Sequence, residues 1–135
     1  MREVAPPTGA DPPRSAKLPD GEQLDLEQLA REVCRRYYEE FADEDERYGE
    51  AGRAWCAHDN QWLLSWAALD LAGLDDIVGQ VRWLAGVLAA RDFPVERLRR
   101  DLELAAEAVP QLAEPLRAAA SELRSSPGQG TGAGP

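Results

Sequence analysis

Apolar residues recur at intervals of three and four along most of this chain, which predicts helices rather than strands. The first helix is expected over residues 24–41: Leu26, Leu29, Val33, Tyr37 and Phe41 form its inner stripe, with Glu27, Arg31, Glu32, Arg35 and Glu39 on the opposite face. Asp25 or Asp20 can cap it. The acidic run Glu39, Glu40, Asp43, Glu44, Asp45 and Glu46 sits at the unfavourable pole of that helix, so the stop is placed near Ala42 and the run reads as a solvated corner. The run lacks the Asp/Asn spacing around a glycine that a calcium loop uses. After Gly49 a second helix is expected over residues 50–72, ended by Gly73. Trp55, Asp59, Trp62, Trp66 and Leu69 share its stripe, widened by Leu63 and Ala67, and so broad an apolar surface belongs at the centre of the fold.

A third helix opens after Asp75 or Asp76, with Ile77, Val81, Leu84 and Leu88 facing inward. Trp83 and Val87 form a second apolar edge, which calls for another packed neighbour or an exposed face that meets a partner. Gly79 and Gly86, seven apart inside this helix, suggest close approach of another helix. The corner at Arg91, Asp92 and Phe93 leads to Pro94 in the first turn of a fourth helix, with Asp92 as its cap. Val95, Leu98, Leu102, Ala105 and Val109 make the inner face of that helix, and Asp101 falls among the residues placed mostly outside. Pro110 bends or ends it, and a weaker, alanine-rich fifth helix over 111–124 offers Leu112, Leu116, Ala119, Ala120 and Leu123. The expected fold class is therefore all-α: an up-and-down bundle of four to five helices with disordered termini.

Domain boundaries follow from composition. Residues 1–21 hold Pro6, Pro7, Pro12, Pro13 and Pro19 with few large apolar groups and read as a disordered tail. Residues 22–124 form the bundle, and 125–135, SSPGQGTGAGP, form a flexible tail. The net charge of −10 argues against nucleic acid and anionic membrane surfaces as partners, because phosphate contacts need an excess of clustered Lys and Arg. No run of about eighteen apolar residues is present and the first residues lack a signal-like apolar core, so the expectation is a cytoplasmic chain. Cys34 and Cys56 are read as buried thiols that behave as small hydrophobes.

Candidate chemistry is concentrated between residues 55 and 66. His58 follows Trp55 by three and precedes Trp62 by four, with Asp59, Asn60 and Gln61 beside it. Trp55, His58, Asp59, Asn60, Trp62 and Trp66 are the candidate ligand- or partner-binding residues. His58 is either an edge histidine bonded to a carboxylate or, in an alternative reading, an axial ligand to haem or a metal. A zinc site on Cys56, His58 and Cys34 is disfavoured, since helical residues two apart point about 200° from one another. The sequence contains no phosphate loop, no HExxH pair and no facing carboxylate pair, so a non-enzymatic role is expected and no catalytic residue or metal site is assigned.

The stretch WLLSWAALDLAGLDDIVGQVRWLAGVLAARDFPVERLRRDLEL, an apolar helix, an acidic turn, a tryptophan helix and a proline corner, resembles the helical module that precedes the cobalamin-binding fold in bacterial sensor and regulator proteins. The likeness spans residues 62–109 and implies a helical cap over a cofactor held by a separate domain; it assigns no residue a role. The sequence thus leads to a non-catalytic sensor or interaction module with a Trp/His-lined ligand pocket or partner groove. The cofactor, the ligand and any protein partner are left open. A further alternative is a structural bundle that assembles with partners or with itself through the Trp83 face.

Overall fold

The computed structural model describes residues 11–125 and consists of a small hairpin and five helices. Strand β1 (Ser15–Lys17) pairs antiparallel with β2 (Gln23–Asp25), Ala16 opposite Leu24. Two-residue alternation explains why so short a hairpin is held. Leu24 points into the core while Ser15, Lys17, Gln23 and Asp25 face out. The turn between the strands closes with Gly21 at φ 95° and Asp20 Oδ1 accepting from the Glu22 amide, and it buries Leu18. Part of the tail expected to be disordered is thus ordered from residue 15 on. Leu18, the one leucine of that tail, buries against the core, and Leu24, expected at the start of the first helix, lies in β2 beside it. Residues 1–10 of that tail, and residues 126–135 of the C-terminal one, lie outside the described range.

Helix α1 (Leu26–Glu40) begins at Asp25, whose carboxylate accepts from the Gln28 amide, and buries Leu26, Ala30, Val33 and Tyr37. Helix α2 (Glu44–Leu71) is two segments joined at Gly49, where φ 63° and ψ −156° are accessible only to glycine. The turn before Gly49 corrects the reading of the acidic run. Glu44, Asp45 and Glu46 lie in the first turn of this element, the favourable pole for carboxylates, rather than at the trailing end of α1. Nor is the corner simply solvated, since Glu44 is only 3% exposed. At its far end α2 stops in a Schellman arrangement: Gly73 adopts φ 75° and the Leu74 amide donates to the Leu69 carbonyl at 2.8 Å.

Helix α3 (Ile77–Ala90) is capped by Asp76 and buries Ile77, Val81, Leu84, Ala85 and Leu88. The close approach expected at its glycines does not occur. A methyl group on Gly86 would meet open space, and one on Gly79 would meet only the Asp76 cap. Helix α4 (Val95–Ala108) starts at Pro94, not at an Asp92 cap; Asp92 instead takes φ 63° and turns the corner. Pro110 breaks the helix rather than bending it: a 3-10 turn, Pro110–Leu112, intervenes before α5 (Ala113–Ser125).

Helix α2 packs against α1, α3 and α5, while α4 lies between α1 and α5, touching α3 much less than strict up-and-down order requires. Leu26, Leu63, Leu64, Ile77, Leu84, Leu102, Leu112 and Leu116 are the largest fully buried apolar side chains of one continuous core. The class is all-α, as the periodicity predicts. Among the described residues no helix is long and apolar enough to cross a membrane.

Candidate functional site

The helical repeat selects which residues of α2 share a face. Ala51, Trp55, Asp59 and Leu63 are spaced by four, as are Gly52, Cys56 and Asn60, and these two rows form one wall of a cavity of about 70 Å³. Tyr37 of α1 and Leu88 of α3 add to the lining, as do Phe93 of the following corner and Arg97, Leu98 and Asp101 of α4. Glu44 and Tyr48, on the short segment before the Gly49 break, complete it. That break lets Tyr48 fold back along the helix: a Cβ on Gly52 would lie 2.5 Å from the Tyr48 Cβ, so only glycine admits the approach. The left-handed Asp92 does the same service for Phe93, which packs 5.8 Å from the Tyr48 ring, centroid to centroid.

Glu44, Asn60 and Asp101 are the buried polar residues of this region. Glu44 accepts from the Tyr37 hydroxyl at 2.7 Å and from Arg97 Nη1 at 3.0 Å. Arg97 also donates to both carboxylate oxygens of Asp43 and lies over the Phe41 ring, so its charge is fully engaged. Burial raises the Glu44 carboxyl above its ordinary range, with Tyr37 and Arg97 pulling the other way. Burial also raises the Tyr37 phenol, reinforced by its bond to Glu44. The third group is Asp101, which accepts from Asn60 Nδ2 at 3.1 Å. Its burial pushes the carboxyl up to about 7; the Asn60 bond opposes the shift, and the charges of Asp59 and Glu44 add to it.

Asn60 is the hub between α1, α2 and α4. Its amide nitrogen also donates to the Cys56 carbonyl at 3.0 Å and sits 3.5 Å from Cys56 Sγ and 3.7 Å from Cys34 Sγ. Its own carbonyl oxygen is buried with no hydrogen-bond partner among the described residues. A hydrogen bond with Cys34 and then burial raise the Cys56 thiol, so Cys56 stays protonated and is a poor nucleophile.

Of the residues singled out from sequence, Trp55, Asp59 and Asn60 line the cavity, whereas His58, Trp62 and Trp66 do not. Residue 58 points about 100° away from residue 59 around the helix. His58 Nδ1 lies 3.4 Å from the Asp59 carboxylate, and the imidazole lowers an Asp59 carboxyl that burial raises. Trp62 and Trp66 sit roughly 10 and 16 Å further along the axis than Trp55, Trp62 turned about 100° from the lining residue Leu63, and they pack on each other with centroids 5.9 Å apart. Trp66 is core, and the buried Trp62 indole N–H has no partner among the described residues. Sequence reading missed Tyr37, Glu44, Arg97 and Asp101 as site residues. Asp101 carried a legible signal: it follows Leu98 by three and precedes Ala105 by four, on the inner stripe of α4. Among the described residues no three His, Cys, Asp or Glu side chains converge as metal ligands. The chain matches no protein-family model, no curated protein and no solved structure.

Proposed function

We propose that this chain is a non-catalytic sensor or interaction module whose ligand site is the cavity between α1, α2 and α4. The observation that carries the reading is the Asn60–Asp101 pair, a carboxylate and an amide whose carbonyl oxygen has no partner among the described residues, buried beside a cavity whose walls include Tyr37, Tyr48, Trp55 and Phe93. Packing alone does not want these groups, because a buried polar side chain without full satisfaction costs about 1–3 kcal/mol. A concave, mainly apolar site with a few convergent polar groups is how small ligands are held. The sensor role agrees with the resemblance of residues 62–109 to helical caps, and it needs no cofactor on His58, whose ring is not part of the cavity.

The test is a small-molecule screen by two-dimensional NMR on the full chain, repeated with Ala51→Phe, which places a ring in the lining. Saturable shifts at Trp55 and Asn60 that vanish in the plugged variant are expected. Binding that survives the plug, or no binding by any compound class, sinks the reading. The second reading, assembly through the Trp83 face, draws on the 46% exposure of Trp83. Sedimentation over a concentration series checks it, a persistent monomer counting against self-association.

A further inference from the structure

The charges around the cavity do not balance, and the imbalance is local. Three carboxylates line it, Glu44, Asp59 and Asp101. Glu44 has Arg97, and Asp59 has His58 beside it and Arg91 near enough to lower its carboxyl. For Asp101 the described residues supply the Asn60 amide and two further negative groups, and none of them forms an ion pair with it. Beside it the buried Asn60 carbonyl oxygen has no donor among the described residues. Both groups ask for a donor, and one asks for positive charge. The remaining walls include Tyr37, Tyr48, Trp55 and Phe93, and ring faces attract ammonium groups but not anions. A bare divalent ion is a poor candidate, because calcium and magnesium need six or more oxygen ligands and, among the described residues, no three His, Cys, Asp or Glu side chains converge even for a four-coordinate metal. Size narrows the class further: about 70 Å³ is roughly half of the about 150 Å³ known to admit benzene, enough for a head group whose remainder extends outward.

We infer that the cavity binds the ammonium head of a small organic amine, with Asp101 as its counter-charge, Asn60 as a hydrogen-bond acceptor and the aromatic walls around it. This inference rests on the pocket reading above and gives it a ligand class. Proton uptake by Asp101 competes with the amine. The titratable and charged groups around that carboxyl are Asp59, Glu44, Cys56 and Tyr37, with Arg97 committed to Asp43 and Glu44. An alkylamine keeps its proton well past neutrality, a lysine-like amine titrating near about 10.4, so binding strengthens from pH 6 to pH 8.

The experiment titrates the full chain, followed by NMR, with three molecules of similar shape and different charge: isopropylammonium, 2-propanol and isobutyrate. The expected result is saturable shifts at Asn60 and Trp55 with isopropylammonium, at least tenfold weaker binding of the other two, and tenfold or greater weakening of the amine by Asp101→Asn. Preference for the alcohol or the anion overturns the cation assignment while the pocket reading stands, and so does amine binding that Asp101→Asn leaves unchanged. Should Asp101→Asn not fold, the wild-type ranking of the three ligands decides alone. If none of the three binds, or if Ala51→Phe leaves binding intact, the assignment and the pocket reading fall together.

Discussion

The two halves of α2 face different interiors. Its C-terminal half, with Leu64, Ala67 and Ala68, packs against Ile77, Val81 and Leu84 of α3 and Leu116, Ala119 and Ala120 of α5 in one apolar cluster. Ser65 is the one buried polar side chain described in that half. Its N-terminal half, with Trp55, Cys56 and Asn60, faces α1 and α4 across a cavity that gathers the other three buried polar residues, Glu44, Asn60 and Asp101. One helix thus divides the labour: the dry end supplies stability, and the wet end keeps charges that a protein built only to fold would replace with leucine.

The largest effect should come from the dry half. Leu116 is fully buried, and Leu116→Ala removes its transfer energy and leaves a cavity, for a loss of about 2–5 kcal/mol in urea unfolding. A loss below about 1 kcal/mol would show that this half is loosely packed and erase the contrast with the other end.

The opposite sign is expected at Asp101. Its folded carboxyl titrates near about 7 against an ordinary value near 3.8, so the folded state holds the proton more tightly. Stability contributed by that proton is present below about pH 4 and is lost as pH rises toward 7, an effect on the order of 2–4 kcal/mol. Asp101→Asn keeps the shape and the Asn60 bond without the charge, so it should match the wild type near pH 4 and exceed it by that amount at pH 8. Parallel unfolding curves for the two proteins across this window would place Asp101 in a solvated setting and remove it from the comparison.

Below both lies the Arg97 cluster. Arg97→Met leaves Glu44 buried with only the Tyr37 hydroxyl, and a loss of about 1–3 kcal/mol in chemical unfolding is expected at pH 8. The loss should shrink at low pH, where the Glu44 carboxyl, already raised by burial, takes up a proton. An undiminished loss at pH 4 would mean that Arg97 acts through packing on Phe41 rather than through charge.

How legible each half was in the sequence follows the same division. The dry half is written in single-helix periodicity: Ile77, Val81, Leu84 and Leu88, or Leu112, Leu116 and Ala119, each declare a face without reference to any other helix. Asp25 and Gly73 mark helix ends by local chemistry, and both act as expected. The wet half is written between helices. Tyr37 with Glu44, Glu44 with Arg97 and Asn60 with Asp101 are joined over 7, 53 and 41 residues, and no spacing within one element announces the last two. His58 drew attention because it is the one histidine, between two tryptophans, yet a rotation of about 100° per residue carries it off the face that Asp59 occupies. Asn60 was placed among the site residues for its position beside that histidine, whereas its importance comes from α1 and α4, which the sequence of α2 does not mention.

The smallest effect is expected on the outside of the dry half, at Trp83. Its neighbours Val81, Leu84 and Ala85 bury the helix, while the indole itself stays 46% exposed between Arg82, paired with Glu122 of α5, and open solvent. A partly exposed side chain away from caps, cavities and buried polar groups typically changes stability by no more than about 0.5 kcal/mol. Trp83→Lys should therefore leave the unfolding midpoint nearly unmoved, and because the residue is not part of the cavity lining, it should also leave ligand binding at Trp55 and Asn60 unmoved. A drop of 2 kcal/mol or more would instead mean that the indole covers the α3 and α5 seam, about the transfer energy of a large apolar side chain. In that event the dry half reaches the surface at Trp83, and the face offered for assembly is part of the core.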